Sequence, residues 1–296
     1  MIENSQIKKK YNQNLIDLGE RGKYHIKNKL NDLTGKEWVK FTKSWFVHNP
    51  PPRKEKEILH PAKFPEPLIQ RFLKFFTKKG NLVLDPFLGV GSTLLACALS
   101  NRKCIGIELI KKYSQIAEKR LNNVNKNYPK DDYRIYTMDA QEIDTLKLPK
   151  IDFCITSPPY WNMLKKSRGN VKSVSKQRKE KGLDSYYSED NPKDIGNLKD
   201  INRYLNAIVE VFEKIYPILK KDKYIVVIMQ NVRIKKGEMI PLAWKFALKM
   251  TGTYILKQEM IWCQDNKFLG CWGYPSEYVS NVHHHYCLVF QKKEKN

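Results

Sequence analysis

The sequence predicts an α/β fold: a mainly parallel sheet with helices on both faces and an antiparallel pair at one edge. Three observations predict it. Short apolar runs alternate with helical periodicity from about residue 81 to residue 291, the pattern of a parallel sheet with crossover helices. Three of the first runs end in, or just before, an acid (Asp85, Glu108, Asp139), at the strand ends where open α/β sheets hold ligands. The last two runs have no helical pattern between them, so they read as antiparallel neighbours.

Residues 1–58 are polar and basic, but carry Trp38, Phe41, Trp45 and Phe46 before a Pro50-Pro51-Pro52 break. A disordered tail would be poorer in aromatics, so this segment reads as a docked N-terminal extension to a domain over 59–296. Pro65 to Lys78 reads as an amphipathic helix, with Leu68, Phe72, Phe75 and Phe76 near helical spacing. A strand at Asn81–Asp85 runs through a Gly-rich turn into a helix at Ser92–Ser100. Cys104–Glu108 is a second strand, followed by a helix over 111–124. Tyr133–Met138 is a third, with Asp139 just after it, and Ile151–Thr156 a fourth. Residues 161–199 lack sustained apolar periodicity and read as a long insertion. A helix at Ile201–Leu219, a strand at Lys223–Gln230, a helix at Ile240–Met250 and strands at Leu256–Trp262 and Tyr286–Gln291 complete the reading.

The balance of 54 Lys+Arg against 31 Asp+Glu gives a net charge of +23. A charge of that size points to a polyanion, and to nucleic acid before a membrane surface, since no basic amphipathic anchor is evident. The charge is clustered. Between Lys165 and Lys181 stand eight basic residues, Lys165, Lys166, Arg168, Lys172, Lys176, Arg178, Lys179 and Lys181, against the single acid Glu180. No apolar run approaches bilayer length and residues 1–20 are polar, so a cytoplasmic location is expected. The six cysteines lack CxxC spacing and sit mostly in apolar stretches, where a cysteine is usually a small buried hydrophobe. His283-His284-His285 would alternate between the faces of a strand, which leaves no expected metal site.

The loop after the first strand reads Asp85-Pro86-Phe87-Leu88-Gly89-Val90-Gly91-Ser92-Thr93. Gly89 and Gly91 allow a tight turn and a close approach of the backbone. The loop is not GxGxxG, and its acid would repel a pyrophosphate while suiting a ligand with an ammonium or sulfonium charge. That favours S-adenosylmethionine over a nicotinamide dinucleotide. Glu108 can accept from both ribose hydroxyls, and Asp139 from an adenine amino group.

The fourth strand runs into Ser157-Pro158-Pro159-Tyr160, a type of tetrapeptide that average residue usage would place in only about 1% of chains this long. An exocyclic amino group on a base has its lone pair delocalised into the ring and is a poor nucleophile. The Ser157 hydroxyl and the Pro158 carbonyl are two acceptors for its N–H groups, and would favour a more tetrahedral nitrogen. Paired prolines fix the backbone there, and Tyr160 offers a face on which a base swung out of a duplex can stack. Trp161 follows and can line the same pocket. A covalent cysteine mechanism needs a thiolate, typically in a Pro-Cys setting. No Pro-Cys pair occurs, and Cys154 lies within a strand.

Together these two motifs resemble the N4-cytosine/N6-adenine DNA methyltransferase family. His60-Pro61-Ala62-Lys63-Phe64-Pro65 is similar to the segment that packs around the methionine end of the cofactor there. The resemblance implies a Rossmann-like seven-stranded methyltransferase sheet and a base-flipping reaction on double-stranded DNA. It assigns Asp85, Phe87, Gly89, Gly91, Glu108, Asp139, Ala140, Pro61 and Phe64 to S-adenosylmethionine, and Ser157–Tyr160 to the target amine. Ser157 in place of Asp or Asn leans toward cytosine N4, with adenine N6 or guanine N2 of RNA as alternatives. A homodimer and a cognate restriction endonuclease encoded nearby are left open as partners. The chain departs from the family in two ways. Its cofactor motif precedes the catalytic one, although the phrase around Asp85 is typical of members with the reverse order. It also shows no large separate target-recognition domain. Recognition then falls to residues 1–58, the basic insertion (Lys165, Lys166, Arg168, Lys172, Lys176, Arg178, with Trp161 beside it), the segment Phe268–Val282, or a partner subunit.

Overall fold

The computed structural model describes residues 14–50, 64–161, 191–234, 237–267, 269–272 and 274–293. An antiparallel pair, β1 (Leu15–Asp17) and β2 (Lys23–His25), is followed by helix α1 (Gly35–Phe41) and strand β3 (Trp45–Val47). Thr34 starts α1 with a reciprocal capping box to Glu37, which satisfies two otherwise orphaned amides. Helix α2 (Glu66–Phe76) buries Leu68, Ile69, Phe72, Leu73 and Phe76 on one face, and Phe41 stacks on Phe75 at 3.9 Å between ring centroids. The N-terminal segment is thus held on α2 by aromatic packing.

Then come β4 (Leu82–Asp85), α3 (Ser92–Leu99), β5 (Lys103–Glu108), α4 (Lys111–Val124), β6 (Tyr133–Thr137) and β7 (Ile151–Thr156). After them follow α5 (Ile201–Ile215), β8 (Leu219–Met229), the short pair β9 (Val232–Arg233) and β10 (Met239–Ile240), and α6 (Leu242–Met250). The chain continues through β11 (Tyr254–Cys263), a second short pair β12 (Cys271–Trp272) and β13 (Val279–Ser280), and β14 (His284–Lys292).

The main sheet has the order β3-β11-β14-β8-β7-β4-β5-β6. β14 is antiparallel to both β8 and β11, and the other pairings are parallel. All seven strands read from the sequence are present. The sheet nevertheless has eight strands rather than seven, because β3 pairs with Ile261–Cys263 beyond the antiparallel strands. Three residues are too few for an alternation to show.

Helices fill both faces. On one, Tyr204, Ile208 and Phe212 of α5 join Phe246 and Met250 of α6 against the sheet. On the other, Phe72 and Phe76 of α2 and Leu94 and Leu95 of α3 join Phe153 of β7. Nearly every side chain of α3 is buried, as befits a helix that is apolar all round. One boundary differs from the expected helix to Leu219. α5 ends at Ile215 because Pro217 cannot continue it. β8 starts early at Leu219 and passes Asp222, which takes φ 60°, a conformation that a short polar side chain tolerates. The apolar run that marks this strand in the sequence begins only after that break.

Because β4, β5, β6, β7, β8 and β11 run the same way, their C-terminal ends line one edge of the sheet. Asp85, Glu108, Thr156 and Cys263 all lie along it.

Candidate active site

Gly91 places the first ligand-facing loop. It takes φ 82°, and a Cβ there would lie 2.7 Å from the Cβ of Ala117 on α4, so only glycine lets α3 start this close to its neighbour. The loop wraps a cavity of about 1010 Å³, its open mouth included, ample for a nucleoside-sized ligand. Phe64, Asp85, Phe87, Glu108, Asp139 and Ala140 line it, as do Ser157, Pro158, Pro159 and Tyr160. The structure therefore brings the two halves read from the sequence into one cavity. Gly89 and Gly91 are not among its lining residues and shape the loop instead. Pro61, Lys165, Lys166, Arg168, Lys172, Lys176 and Arg178 lie outside the described residues.

Asp85 joins the two halves. The hydroxyls of Thr93 and Thr156 donate to its two carboxylate oxygens at 2.5 Å each, and the Phe87 amide donates at 3.0 Å. Thr93 is in the first turn of α3 and Thr156 immediately precedes Ser157, so one carboxylate ties the Gly-rich loop to the Ser157–Tyr160 turn. Burial raises its pKa, against the pull of the two hydroxyls and the amide. Its expected role in holding a charged ligand is thus shared with a structural one.

Glu108 accepts from the Gly89 amide at 2.8 Å and the Ile110 amide at 2.9 Å, one on each oxygen. Each oxygen retains capacity for a further donor. Burial pushes its pKa up to about 7, opposed by those amides and aided by the nearby carboxylates of Asp85 and Asp194. Asp139 accepts from the Gln141 amide at 2.9 Å and lines the cavity beside Ala140.

The raised Glu108 value has a pH consequence. A carboxyl that titrates at about 4.5 unfolded and about 7 folded favours the native state fully only below the lower value, and that contribution fades as pH rises through the higher one. Thermal unfolding of the ligand-free protein is expected to show up to about 3 kcal/mol of stability lost between those limits. Glu108→Gln should flatten the dependence; an unchanged profile in that variant would assign it to other groups. Ribose hydroxyls donate best to the ionised form, so nucleoside affinity should instead rise over the same interval.

The Ser157–Tyr160 turn is clamped from behind. The Tyr204 hydroxyl of α5 donates to the Pro159 carbonyl at 2.8 Å. The segment 194–198 also packs on the turn, and a Cβ on Gly196 would lie 3.3 Å from Pro159 Cβ. Ser157 is half-buried. Tyr160 is only 8% exposed, so the open stacking face expected of it is largely turned into the wall. Its hydroxyl has no partner of normal hydrogen-bond geometry. Burial raises its pKa, and the neighbouring Ser157 pulls less strongly the other way.

Trp161 requires a correction. It is buried in the core, and its indole N–H donates to the Leu198 carbonyl at 2.9 Å, so it anchors the segment 194–198 and presents no surface to DNA. Cys154 is fully buried and its thiol pKa is driven well up, which disfavours the thiolate that a covalent mechanism needs.

Sequence reasoning missed Lys193, Asp194 and Ile195, which also line the cavity. They lay at the end of a stretch without periodicity. The signal available was the Asp194-x-Gly196 pair, in which the Asp194 side chain accepts from the Gly196 amide at 2.9 Å. Among the described residues, four carboxylates (Asp85, Glu108, Asp139, Asp194) and one ammonium line the cavity, and that ammonium, Lys193, is paired with Glu142 at 2.7 Å. A chain of net charge +23 thus keeps an acidic pocket.

A family model for N6/N4 DNA methylases matches residues 3–119 and 151–296, most of the chain and both motifs. The chain belongs to the N6/N4 DNA methylase family. Its members depend on S-adenosylmethionine, in keeping with an acidic cavity. Among curated relatives, the orphan methyltransferase M.BamHII of Bacillus amyloliquefaciens is 36% identical over 108 residues, 36% of this chain and 39% of that protein. The type II methyltransferase M.BglI of Bacillus subtilis is 40% identical over 91 residues, 31% of this chain and 26% of that protein. The matched segments thus span between a quarter and two-fifths of those two methylases. Among solved structures, an S-adenosylmethionine-dependent O-methyltransferase of Thermotoga maritima superposes with a TM-score of 0.46 at 11% identity, over 81% of this chain and 70% of that one. Among the described residues no helix is long and apolar enough to cross a membrane.

Proposed function

We propose that this methylase transfers a methyl group to the exocyclic amino group of a DNA base flipped from the duplex, cytosine N4 before adenine N6. The observation that carries the reading is the acidic cavity with Ser157 on its wall. The carboxylates of that wall fit a sulfonium cofactor: Glu108 would take the ribose hydroxyls, Asp139 the adenine amino group, and Asp85 and the Phe87 loop the methionine end, with Pro61 and Phe64 beside it. S-adenosylmethionine, when bound, supplies an electrophilic methyl group.

The chain's own residues do the rest. Ser157 Oγ and the Pro158 carbonyl accept the two N–H groups of the base and draw its nitrogen toward a nucleophilic, tetrahedral form. The Pro159 carbonyl is already engaged by Tyr204, so the turn cannot swing away as the base enters. Holding the two reactants in line supplies much of the rate. The serine in place of an acid or amide supports cytosine. Lys165, Lys166, Arg168, Lys172, Lys176 and Arg178 would follow the phosphate backbone, within a basic insertion at 161–199 of a methyltransferase domain over 59–296, preceded by the extension 1–58. The same reading leaves room for a homodimer and for a restriction endonuclease encoded nearby, and expects the protein in the cytoplasm with its substrate.

Incubation with S-adenosylmethionine and unmodified duplex DNA, followed by digestion to nucleosides and mass spectrometry, tests it. N4-methylcytosine is expected. N6-methyladenine would reverse the choice of base, and methylation of tRNA with no product on DNA would overturn the choice of nucleic acid.

A further inference from the structure

The chemistry above leaves one exposed element unused. Between β11 and β14, β12 pairs antiparallel with β13, Cys271 opposite Ser280 and Trp272 opposite Val279. Around this hairpin Leu269 is 79% exposed, Tyr274 88% and Tyr278 85%. Scattered single hydrophobes on a surface need no explanation, but three large ones on one short loop mark a contact surface.

The position of the loop selects what it contacts. β11 is antiparallel to β14, which is antiparallel to β8, which is parallel to β7. The hairpin therefore leaves the sheet at the edge that carries Ser157. A second hairpin, β9–β10, leaves β8 at the same edge and braces the first. Its Gly237 takes φ 81°, and a Cβ there would lie 2.8 Å from Cγ2 of Val279. Arg233 Nη1 donates to the Gly237 carbonyl at 2.6 Å, and the Asn281 amide donates to the Gly270 carbonyl at 3.3 Å across the base of the first hairpin. The tips are thus held on a supported platform. Over residues 232–240 and 264–282 the sequence carries four basic residues, Arg233, Lys235, Lys236 and Lys267, against three acids, Glu238, Asp265 and Glu277. That balance is close to even beside the eight basic residues and single acid of 165–181, so the exposed apolar tips are what distinguish these hairpins. Aromatic and aliphatic tips suit base edges and sugars, where thymine methyls and exposed ring faces offer apolar contact.

We infer that the paired hairpins are the duplex-reading surface of this methylase. Tyr274, Tyr278 and Leu269 pack in a groove beside the target base and set the sequence preference, while the basic residues elsewhere supply the attraction to phosphate. The inference rests on the reading of duplex DNA as substrate.

The double variant Tyr274→Ala/Tyr278→Ala of the full chain tests it. Both side chains are solvent-exposed, so the melting temperature and the S-adenosylmethionine affinity should match the parent. The value of kcat/KM on duplex oligonucleotides should fall about ten-fold or more, chiefly through KM, with preference among flanking sequences relaxed. Activity on the single-stranded target should change far less. An unchanged kcat/KM and an unchanged sequence preference would overturn the inference while leaving the reaction intact. A change in sedimentation that accounts for the lost activity would assign the surface to a second copy of the chain instead. If the parent protein neither binds nor methylates duplex DNA, the functional reading fails first and the inference falls with it.

Discussion

Replacing Ser157 by alanine is expected to lower the rate of methyl transfer by about 10²–10³-fold, the usual effect of deleting one preorganised hydrogen bond at a reacting centre, with S-adenosylmethionine affinity nearly unchanged. The selectivity of the effect follows from how the turn is held. Thr156 binds Asp85 on one side, and Tyr204 holds the Pro159 carbonyl on the other. Removing a half-buried hydroxyl between these braces deletes an acceptor without releasing the backbone. Single-turnover methylation and cofactor titration separate the two quantities. If both fell together, Ser157 would be a structural part of the cavity wall rather than the acceptor for the amine.

Asp85→Ala should have the largest effect on the fold around the site. It would strand the Thr93 and Thr156 hydroxyls and the Phe87 amide, and each buried polar group left without a partner costs about 1–3 kcal/mol. Removal of a carboxylate whose own burial is unfavourable offsets part of that. A net loss of roughly 2–4 kcal/mol follows, equivalent to a fall in melting temperature of about 3–7 °C for a chain of this size. Cofactor binding and methyl transfer should both decline, in contrast to the serine variant. Thr156→Val, which removes only the link to the Ser157–Tyr160 turn, should retain cofactor binding and lose mainly rate. A melting temperature for Asp85→Ala equal to that of the parent would show that the three hydrogen bonds are replaced by water.

The elements most legible in the sequence were those whose packing demands are strict. Ile151–Thr156 is a central strand buried on both faces, so Ile151, Phe153, Cys154 and Ile155 make it mostly apolar and its limits agree with the observed strand. The helix over 111–124 was equally clear, because Tyr113, Ala117 and Leu121 recur at helical spacing on its buried face. The acids at the strand ends could be read because each follows an apolar run directly. What escaped notice depended on contacts made far away. Trp45–Val47 becomes a strand only because β11 offers it a free edge. Trp161 is a core residue rather than a DNA contact because Leu198 returns to meet it. Lys193 and Asp194 line the cavity beside Tyr160 although more than thirty positions separate them from it in sequence, and local spacing carries no record of such a meeting.

The edge strand β3 also has a consequence for the order in which the molecule assembles. The Trp262 indole donates to the His48 carbonyl across 214 positions of the chain. During synthesis the segment carrying Trp45 emerges long before its pairing partner exists. Aromatic contacts with α2 can form early, since Phe41 and Phe75 are close in sequence, but the outer edge of the sheet stays unmade until β11 and β14 have been synthesised. Non-local pairing of this kind is slow. Strand β3 thus becomes secure late, although it is made long before the strand that holds it.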